Sequence, residues 1–196
     1  MGSVGKMFPN MTAKYMSPDG EELGPGEPGE LWLAGPNVFK GYWKNEPATK
    51  DALTADGFFK TGDVGFQDKE HNFYITDRVK ELIKYKGFQV APAELEGKLM
   101  DHPGVNDVAV IGVYDADQHT EVPRAYVVPA PGKDRPQDAE AIVQWLNGKV
   151  AHHKKLRGGV RFVDEVPKSA AGKILRRLLK DAAKEEASQT KVKAKL

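Results

Sequence analysis

The residue types best suited to chemistry lie in the segment PKSAAGKILRR, residues 167–177. Small residues from Ser169 to Gly172 form a pliant loop, an amphipathic run follows, and Lys173 stands at the join. Because a helix N-terminus has free N–H groups and a partial positive charge, a lysine there concentrates positive potential on one tip. We expect this tip to bind an anion, above all a phosphate or a pentavalent phosphorus. The alternative is an ordinary helix start with a solvated lysine. That interpretation does not explain why small residues precede the lysine.

A second candidate is Asp63, which ends the string FFKTGD. A carboxylate on a glycine turn can accept two O–H bonds at once, and it could therefore hold the diol of a sugar. Taken by itself, TGD is a common string, and a solvated aspartate at a strand end explains it better.

The third candidate is the segment ITDRVKELIKYKGFQV, in which Arg78 offers a planar fork of donors for hydroxyls, carboxylates or phosphates. Lys80, Lys84 and Lys86 share one parity and are predicted to form a basic row on one strand face. Gly87 would let the backbone approach a ligand closely. The alternative is a solvated edge strand, since lysines protect sheet edges. On residue type alone we favour that alternative for Lys80 and Lys86, and leave Lys84 open.

Composition excludes several classes of function. The 196 residues are 40% hydrophobic and 29% charged, with a net charge of +1, so the strongly basic footprint of a nucleic-acid binder is absent. Two short basic runs, HHKKLRGGVR and KILRRLLK, fit solvated faces. The chain has no cysteine, and its histidines lack metal-ligand spacing. No apolar run approaches the roughly 20 residues that span a bilayer.

The elements that must position these residues form two predicted units of an α+β fold. Residues 1–76 read as a β-rich unit of short strands broken by glycine turns, with one or two helical turns in NEPATKDAL. Residues 77–184 read as a small antiparallel sheet flanked by helices, and VNDVAVIGVYD is its buried strand. Residues 185–196 read as a polar, mobile tail. The last helix is expected from about Lys173 to Lys184, with an inner face made of Ile174, Leu175, Leu178, Leu179 and Ala182.

In this order and spacing the motifs resemble those of the adenylate-forming enzymes, which include acyl- and aryl-CoA synthetases, 4-coumarate–CoA ligases and firefly luciferases. The resemblance covers the chain up to about residue 180. The segments that carry it are GELWLAGPNVFKGYWKNEPATKDAL, GFFKTGDVG, DRVKELIKYKGFQVAPAELE and PKSAAGKILRR.

The resemblance implies an activity in two steps. Enzymes of this family activate a carboxylic acid with ATP, with Mg²⁺ expected, and give acyl-AMP and pyrophosphate. They then transfer the acyl group to coenzyme A, and a small C-terminal domain rotates between the steps. By resemblance, Asp63 and Arg78 would hold the nucleotide ribose, Lys80 would be the hinge, Lys173 would serve adenylation and Lys84 would serve thioester formation.

The resemblance also implies a site for the pantetheine arm of coenzyme A. The turn formed by Lys86, Gly87 and Phe88, together with Gln89, is similar to the segment that enters the active site beside that channel.

The large domain that carries the family's phosphate loop and acid pocket is not recognisable in these residues. We therefore expect a fragment, made of the last β-subdomain and the whole mobile domain, which is inactive without its N-terminal partner. The alternatives are a non-catalytic binding or assembly module and part of a luciferase-like oxygenase. The carboxylic acid is not predicted.

The last three residues, AKL, resemble the peroxisomal address SKL with one substitution. They favour import into peroxisomes through an import receptor, and a cytoplasmic location otherwise.

Overall fold

The computed structural model describes residues 2–132 and 135–193. Within them the chain divides into two compact units, one ending at Lys80 and the other beginning at Glu81. This division lies four residues beyond the one expected after residue 76. Both units mix strands with helices, so the predicted α+β class is confirmed.

The first unit is built on antiparallel strands β1 Thr12–Met16, β2 Glu22–Leu23, β3 Gly29–Ala34, β4 Phe59–Gln67 and β5 Phe73–Arg78. They form one sheet in the order β2-β1-β3-β4-β5. Helix α1, Glu46–Ala52, lies between β3 and β4 and starts at Asn45, whose side chain caps it. The buried core is small and centres on Tyr15, Leu31 and Phe73.

The second unit opens with a hairpin of β6 Ile83–Tyr85 and β7 Phe88–Val90, followed by helix α2 Pro92–Leu99. Strands β8 Val105–Asp115 and β9 Thr120–Pro129 come next, then helix α3 Arg135–Asn147, strand β10 Val160–Phe162 and helix α4 Arg176–Lys193. A 3₁₀ turn at His152–Lys154 lies between α3 and β10.

The central sheet of the second unit has the order β10-β9-β8. It is mixed, because β10 runs parallel to β9 whereas the prediction was an antiparallel sheet. Alternate residues of β8 face opposite sides. Val108 and Val110 pack with α2 and α3, while Ala109 and Ile111 pack with α4. The long apolar run of β8 is therefore the middle layer between two sets of helices.

Helix α4 differs from its prediction at both ends. It begins three residues after Lys173, because residues 168–174 use their backbone groups in a tight turn, and it continues beyond Lys184 to Lys193. The polar residues after Lys184 carry no apolar pattern, but most of them are good helix formers. Residues 194–196, which are AKL, lie outside the described residues, so the peroxisomal location stays a prediction.

The buried stripe of α4 is also narrower than predicted. Leu179 and Ala183 are buried and Ile174 packs beside them, in the α4 half of the core. Leu175, Leu178 and Ala182 are exposed. Leu179 and Ala183 are one helical turn apart, so α4 contacts the sheet along a single row of side chains.

None of the helices within residues 2–132 and 135–193 combines the length and apolar character needed to cross a membrane.

Because Tyr15 is buried in the core of the first unit, we expect this unit to lose stability at alkaline pH. Burial raises the pKa of Tyr15 to about 12, and its hydroxyl donates to the Phe66 carbonyl at 3.2 Å. An unfolded tyrosine loses its proton near pH 10, so the unfolded chain is favoured as pH rises from about 10 to 12. Between pH 10 and 12 the wild type should lose free energy of unfolding, and Tyr15→Phe should lose up to about 2 kcal/mol less. Tryptophan fluorescence during urea unfolding measures it.

The matched control is Tyr42→Phe, because the Tyr42 side chain is exposed. If both variants keep the wild-type loss of stability between pH 10 and 12, burial of Tyr15 does not control the alkaline response.

Candidate functional site

The first half of the site is a strand pair that brings Asp63 and Arg78 together. The two residues are direct partners in the β4–β5 register, and Arg78 Nε donates to Asp63 Oδ1 at 2.9 Å. The buried Asp77 carboxylate accepts the Arg78 backbone N–H at 2.7 Å. Sequence reasoning named Asp63 and Arg78 separately, and the structure shows that they form one ion pair.

Side chains hold the irregular part of β4 just before Asp63, where the register with β3 shifts. Thr61 Oγ1 accepts the Asp63 N–H at 3.0 Å and donates to the Leu31 carbonyl at 2.7 Å. Gly62 has a φ of +73° and donates its N–H to Glu30 Oε1 at 3.1 Å. A side chain at position 62 would be strained in this left-handed conformation, which explains the glycine. The Asp63 carboxylate therefore projects from a fixed backbone.

The Asp63–Arg78 pair can still bind a ligand. Asp63 Oδ2 and the two terminal nitrogens of Arg78 have no partner among residues 2–132 and 135–193. The Arg78 side chain is 55% exposed and that of Asp63 is 28% exposed. One free carboxylate oxygen beside free N–H donors suits a pair of neighbouring hydroxyls.

The second part of the site is the β6–β7 hairpin. Lys86 and Gly87 have φ values of 45° and 85°, and their neighbours Tyr85 and Phe88 are paired. Two positive φ values in a two-residue loop are the signature of a type I′ hairpin turn. The prediction of a basic row on one strand face was wrong, because Lys86 lies in this turn and Lys80 lies in an earlier one, which leaves Lys84 on a strand.

Two side chains at the start of β9 fix the hairpin. Thr120 Oγ1 accepts the Lys86 N–H and donates to the Lys84 carbonyl, both at 2.9 Å. Glu121 Oε2 accepts the Lys84 N–H, also at 2.9 Å. The Lys84 side chain is exposed, and its ammonium has no partner in the described part of the chain.

The hairpin carries an aromatic pair on the face opposite Lys84, because Phe88 pairs with Tyr85 and not with Lys84. Phe88 is 54% exposed and stacks on His153, with ring centroids 4.5 Å apart. Gln89 is exposed and is the register partner of Lys84. The Arg157 guanidinium lies 4.5 Å from the Tyr85 ring centroid, and sequence reasoning missed it because it is more than seventy residues from the hairpin.

The third part of the site is the loop that carries Lys173. Lys168 and Ile174 form an isolated antiparallel bridge, and Ser169 N–H donates to the Lys173 carbonyl at 2.8 Å. Gly172 has a φ of +78°, and Ser169 Oγ accepts the Lys173 N–H at 3.2 Å. Lys173 therefore directly follows a tight turn and is paired with Ser169 at its base, three residues before α4, so the helix charge proposed for it does not act there. Its ammonium is exposed and unpaired among the described residues.

Ion pairs hold both ends of this loop. Lys168 Nζ lies 2.6 Å from Asp107 Oδ2 at the start of β8. Arg176 Nη1 lies 2.6 Å from Glu81 Oε2, and Arg176 Nη2 lies 2.6 Å from Glu96 Oε2. Sequence reasoning missed this cluster, because its members are 80 and 95 residues apart.

The two candidate lysines are anchored at different ends of one strand pair. Lys84 is bound to Glu121, whose partner is Tyr114, while the Lys173 loop is bound to Asp107. Tyr114 and Asp107 are seven residues apart on β8, which corresponds to about 23 Å in an extended strand. The other end of the loop is held by Arg176 at Val110, four residues from Tyr114, so the two lysine segments have separate anchors along β8.

Matches to known proteins agree with this geometry. Residues 94–173 match the AMP-binding enzyme C-terminal domain, and residues 1–43 match the AMP-binding enzyme family. The chain belongs to the AMP-binding enzyme family. The resemblance to adenylate-forming enzymes is confirmed.

Individual AMP-binding enzymes match over most of the chain. Phenylacetyl-CoA ligase epaB of Aspergillus niger is 48% identical over 187 residues, which are 94% of this chain and 34% of that protein. Probable 4-coumarate–CoA ligase 2 of Dictyostelium discoideum is 48% identical over 181 residues, 92% of this chain and 32% of that protein. The structure of ATP-bound MatB from Rhodopseudomonas palustris has a TM-score of 0.84 and 37% identity, and the match covers 92% of this chain and 35% of MatB. The chain thus spans about a third of these relatives.

A metal site is not formed by the described part of this AMP-binding enzyme chain. Within residues 2–132 and 135–193, no group of three or more histidine, aspartate or glutamate side chains could hold a metal ion. No step is assigned to Mg²⁺ on this chain.

Because Thr120 bonds to the β6–β7 hairpin, we expect its substitution to loosen the hairpin locally. Thr120→Val keeps the side-chain shape but leaves the Lys86 N–H and the Lys84 carbonyl without their partner, at a cost of about 1–3 kcal/mol. We expect the Lys86 amide to exchange with solvent at least about tenfold faster. Hydrogen exchange by NMR measures it on the chain itself.

Thr120→Ser is the control, because it retains the hydroxyl and should keep the slow exchange. Equal Lys86 exchange in the wild type and in Thr120→Val would show that Thr120 does not hold the hairpin.

Proposed function

We propose that this chain acts as the C-terminal part of an ATP-dependent acyl-CoA ligase, which makes acyl-AMP from a carboxylic acid and transfers the acyl group to coenzyme A. The observation that carries the proposal is the pair of exposed lysines, Lys84 and Lys173, which lie on two separately anchored segments of one unit. The two relatives described above are named as CoA ligases, which supports the reaction class.

In the first half-reaction, a carboxylate oxygen of the acid attacks the α-phosphorus of ATP. A new P–O bond forms, the bond to pyrophosphate breaks, and negative charge builds up on the α-phosphate. An ammonium aimed at that charge stabilises the transition state, and Lys173 fills this role on its loop. Asp63 and Arg78 bind the ribose hydroxyls through the oxygen and nitrogens that their ion pair leaves free.

In the second half-reaction, the sulfur of coenzyme A attacks the acyl carbonyl of acyl-AMP. A C–S bond forms, the C–O bond to AMP breaks, and AMP leaves with the electron pair. Lys84 and the hairpin tip serve this step, with Gly87 giving the pantetheine arm close access to the backbone and Phe88 and Gln89 beside it. A rotation near Lys80, where one unit ends, would exchange the two lysines at the reacting centre.

The isolated chain is expected to be inactive. It spans about a third of its relatives, and no phosphate loop is recognisable in it. The purified 196-residue chain should give no ATP–pyrophosphate exchange with any carboxylic acid. Exchange above background would contradict the assignment of the acid pocket and phosphate loop to a separate domain.

The two lysines are expected to show opposite defects in the complete ligase that carries this sequence. Lys173→Ala should lower the rate of acyl-AMP formation by about 10²- to 10³-fold, because one preorganised charge is lost. It should still convert supplied acyl-AMP and coenzyme A to thioester. Lys84→Ala should form acyl-AMP and transfer it slowly. Single-turnover assays of each half-reaction separate these effects, since steady-state rates combine the steps.

Lys184→Ala, which removes an exposed lysine on α4, is the control and should leave both half-reactions unchanged. If Lys173→Ala and Lys84→Ala damaged both half-reactions equally, the two-lysine model would be wrong. Normal rates in both variants would favour a non-catalytic binding or assembly module. Light emission with a luciferin would favour the oxygenase alternative.

A further inference from the structure

The loop of Lys173 ends in a buried ionic cluster for which the proposed chemistry has no use. Arg176 is the first residue of α4, and its side chain is 11% exposed. Its guanidinium contacts both Glu96 oxygens, at 2.8 and 2.6 Å, and Glu81 Oε2 at 2.6 Å. The Glu96 and Glu81 side chains are 12% and 23% exposed. One cation is therefore held between two half-buried carboxylates.

The same cluster closes the free edge of strand β8. Glu96 Oε1 accepts the Val110 N–H at 2.7 Å, and Arg176 Nε donates to the Val110 carbonyl at 3.3 Å. Because β8 is an edge strand, these backbone groups have no neighbouring strand to bond. Arg176 is thus fixed against a buried stretch of β8 as well as against two acidic side chains.

The position of Arg176 in the chain links two functional segments. It follows Lys173 by three residues, so it limits where the loop can reach. Its partner Glu81 is the first residue of the second unit, directly after Lys80. A single guanidinium therefore ties the chain just beyond the proposed hinge to the base of the loop.

We propose that Arg176 is the positioning residue for Lys173, holding the loop in register with the edge of β8 and with the segment that begins at Glu81. It acts through Lys173 and touches no substrate. The proposal rests on the proposed function for the role of Lys173 in adenylation, but the placement of the loop is a property of this chain and can be measured without activity.

The informative substitution is Arg176→Lys. It keeps a positive charge between Glu81 and Glu96, so the cluster does not become purely acidic. A single ammonium lacks the planar fork that bonds both carboxylates and the Val110 carbonyl together. Glu94→Gln is the matched control, because it breaks another ion pair of the unit, in which Lys154 Nζ lies 2.6 Å from Glu94 Oε2.

The first experiment uses the 196-residue chain and hydrogen exchange by NMR. In Arg176→Lys, the amides of Ser169, Gly172 and Lys173 should exchange at least about tenfold faster, because their turn has lost one fixed end. The Ala125 amide, bonded to the Gly159 carbonyl at 3.0 Å on the far side of the sheet, should change less than about twofold. Glu94→Gln should leave the loop amides unchanged. Unchanged loop amides in Arg176→Lys would overturn the proposal, and so would an equal acceleration at Ala125, which indicates general destabilisation.

The second experiment measures both half-reactions in the complete ligase that carries this sequence. Arg176→Lys should lower kcat for acyl-AMP formation at least about tenfold with little change in KM for ATP, because a misplaced catalytic group costs rate more than binding. Thioester formation from supplied acyl-AMP should change less than about twofold. Equal loss in both half-reactions would overturn the positioning role.

The two experiments distinguish a failure of the positioning role of Arg176 from a failure of the proposed role of Lys173 in adenylation. If Lys173→Ala leaves adenylation intact, the proposed function fails, while the exchange data still decide whether Arg176 holds the loop. If Lys173→Ala abolishes adenylation but Arg176→Lys does not impair it, the function stands and the positioning role is overturned.

Discussion

The second unit depends on how the free edge of β8 is closed. A three-stranded sheet with β8 at its edge leaves the Val110 N–H and carbonyl without a strand partner, deep in the protein. Glu96 from α2 and Arg176 from α4 bond to these two groups and to each other. The desolvation of an ion pair is offset here because each charge also satisfies a backbone group, and removing one partner of such a pair typically costs about 3–5 kcal/mol. The edge thereby fixes the positions of both helices.

The buried β8–β9 strand pair supports two exposed segments that carry the candidate lysines. The β8–β9 frame is buried on both faces, by α2 and α3 on one side and by α4 on the other. The groups that could meet a ligand project from its margins, on the hairpin tip at Lys86–Gly87 and the turn at Ser169–Lys173. Each segment is fixed by a few side-chain bonds at its base, and the ammonium groups of Lys84 and Lys173 have no partner among the described residues. A catalytic lysine that has to enter and leave a site benefits from this design, since the frame keeps its shape while the tip stays accessible.

The sequence predicted the features that depend on local patterns. The near-continuous apolar run at 105–115 indicated β8, and the helical spacing of Leu95 and Leu99 indicated α2. The local pattern at Asp63 favoured a solvated aspartate. The motifs together identified the family. Each of these signals lies within about twenty residues of sequence, where periodicity and turn preference are informative.

The failures have a common physical cause, which is competition from contacts distant in sequence or from backbone conformation. Lys173 was assigned to a helix start because an amphipathic run follows it, but the Lys168–Ile174 bridge uses the backbone groups that a helix would need. The lysine row failed because two adjacent positive φ values at Lys86 and Gly87 turn one apparent strand into a hairpin. Arg176 was counted with the solvated basic residues of KILRR, yet partners 80 and 95 residues away bury it. The local sequence of a basic run therefore does not show which of its charges are solvated and which form structural ion pairs. In this chain Lys173 is exposed, whereas the side chain of Arg176, three residues later, is only 11% exposed.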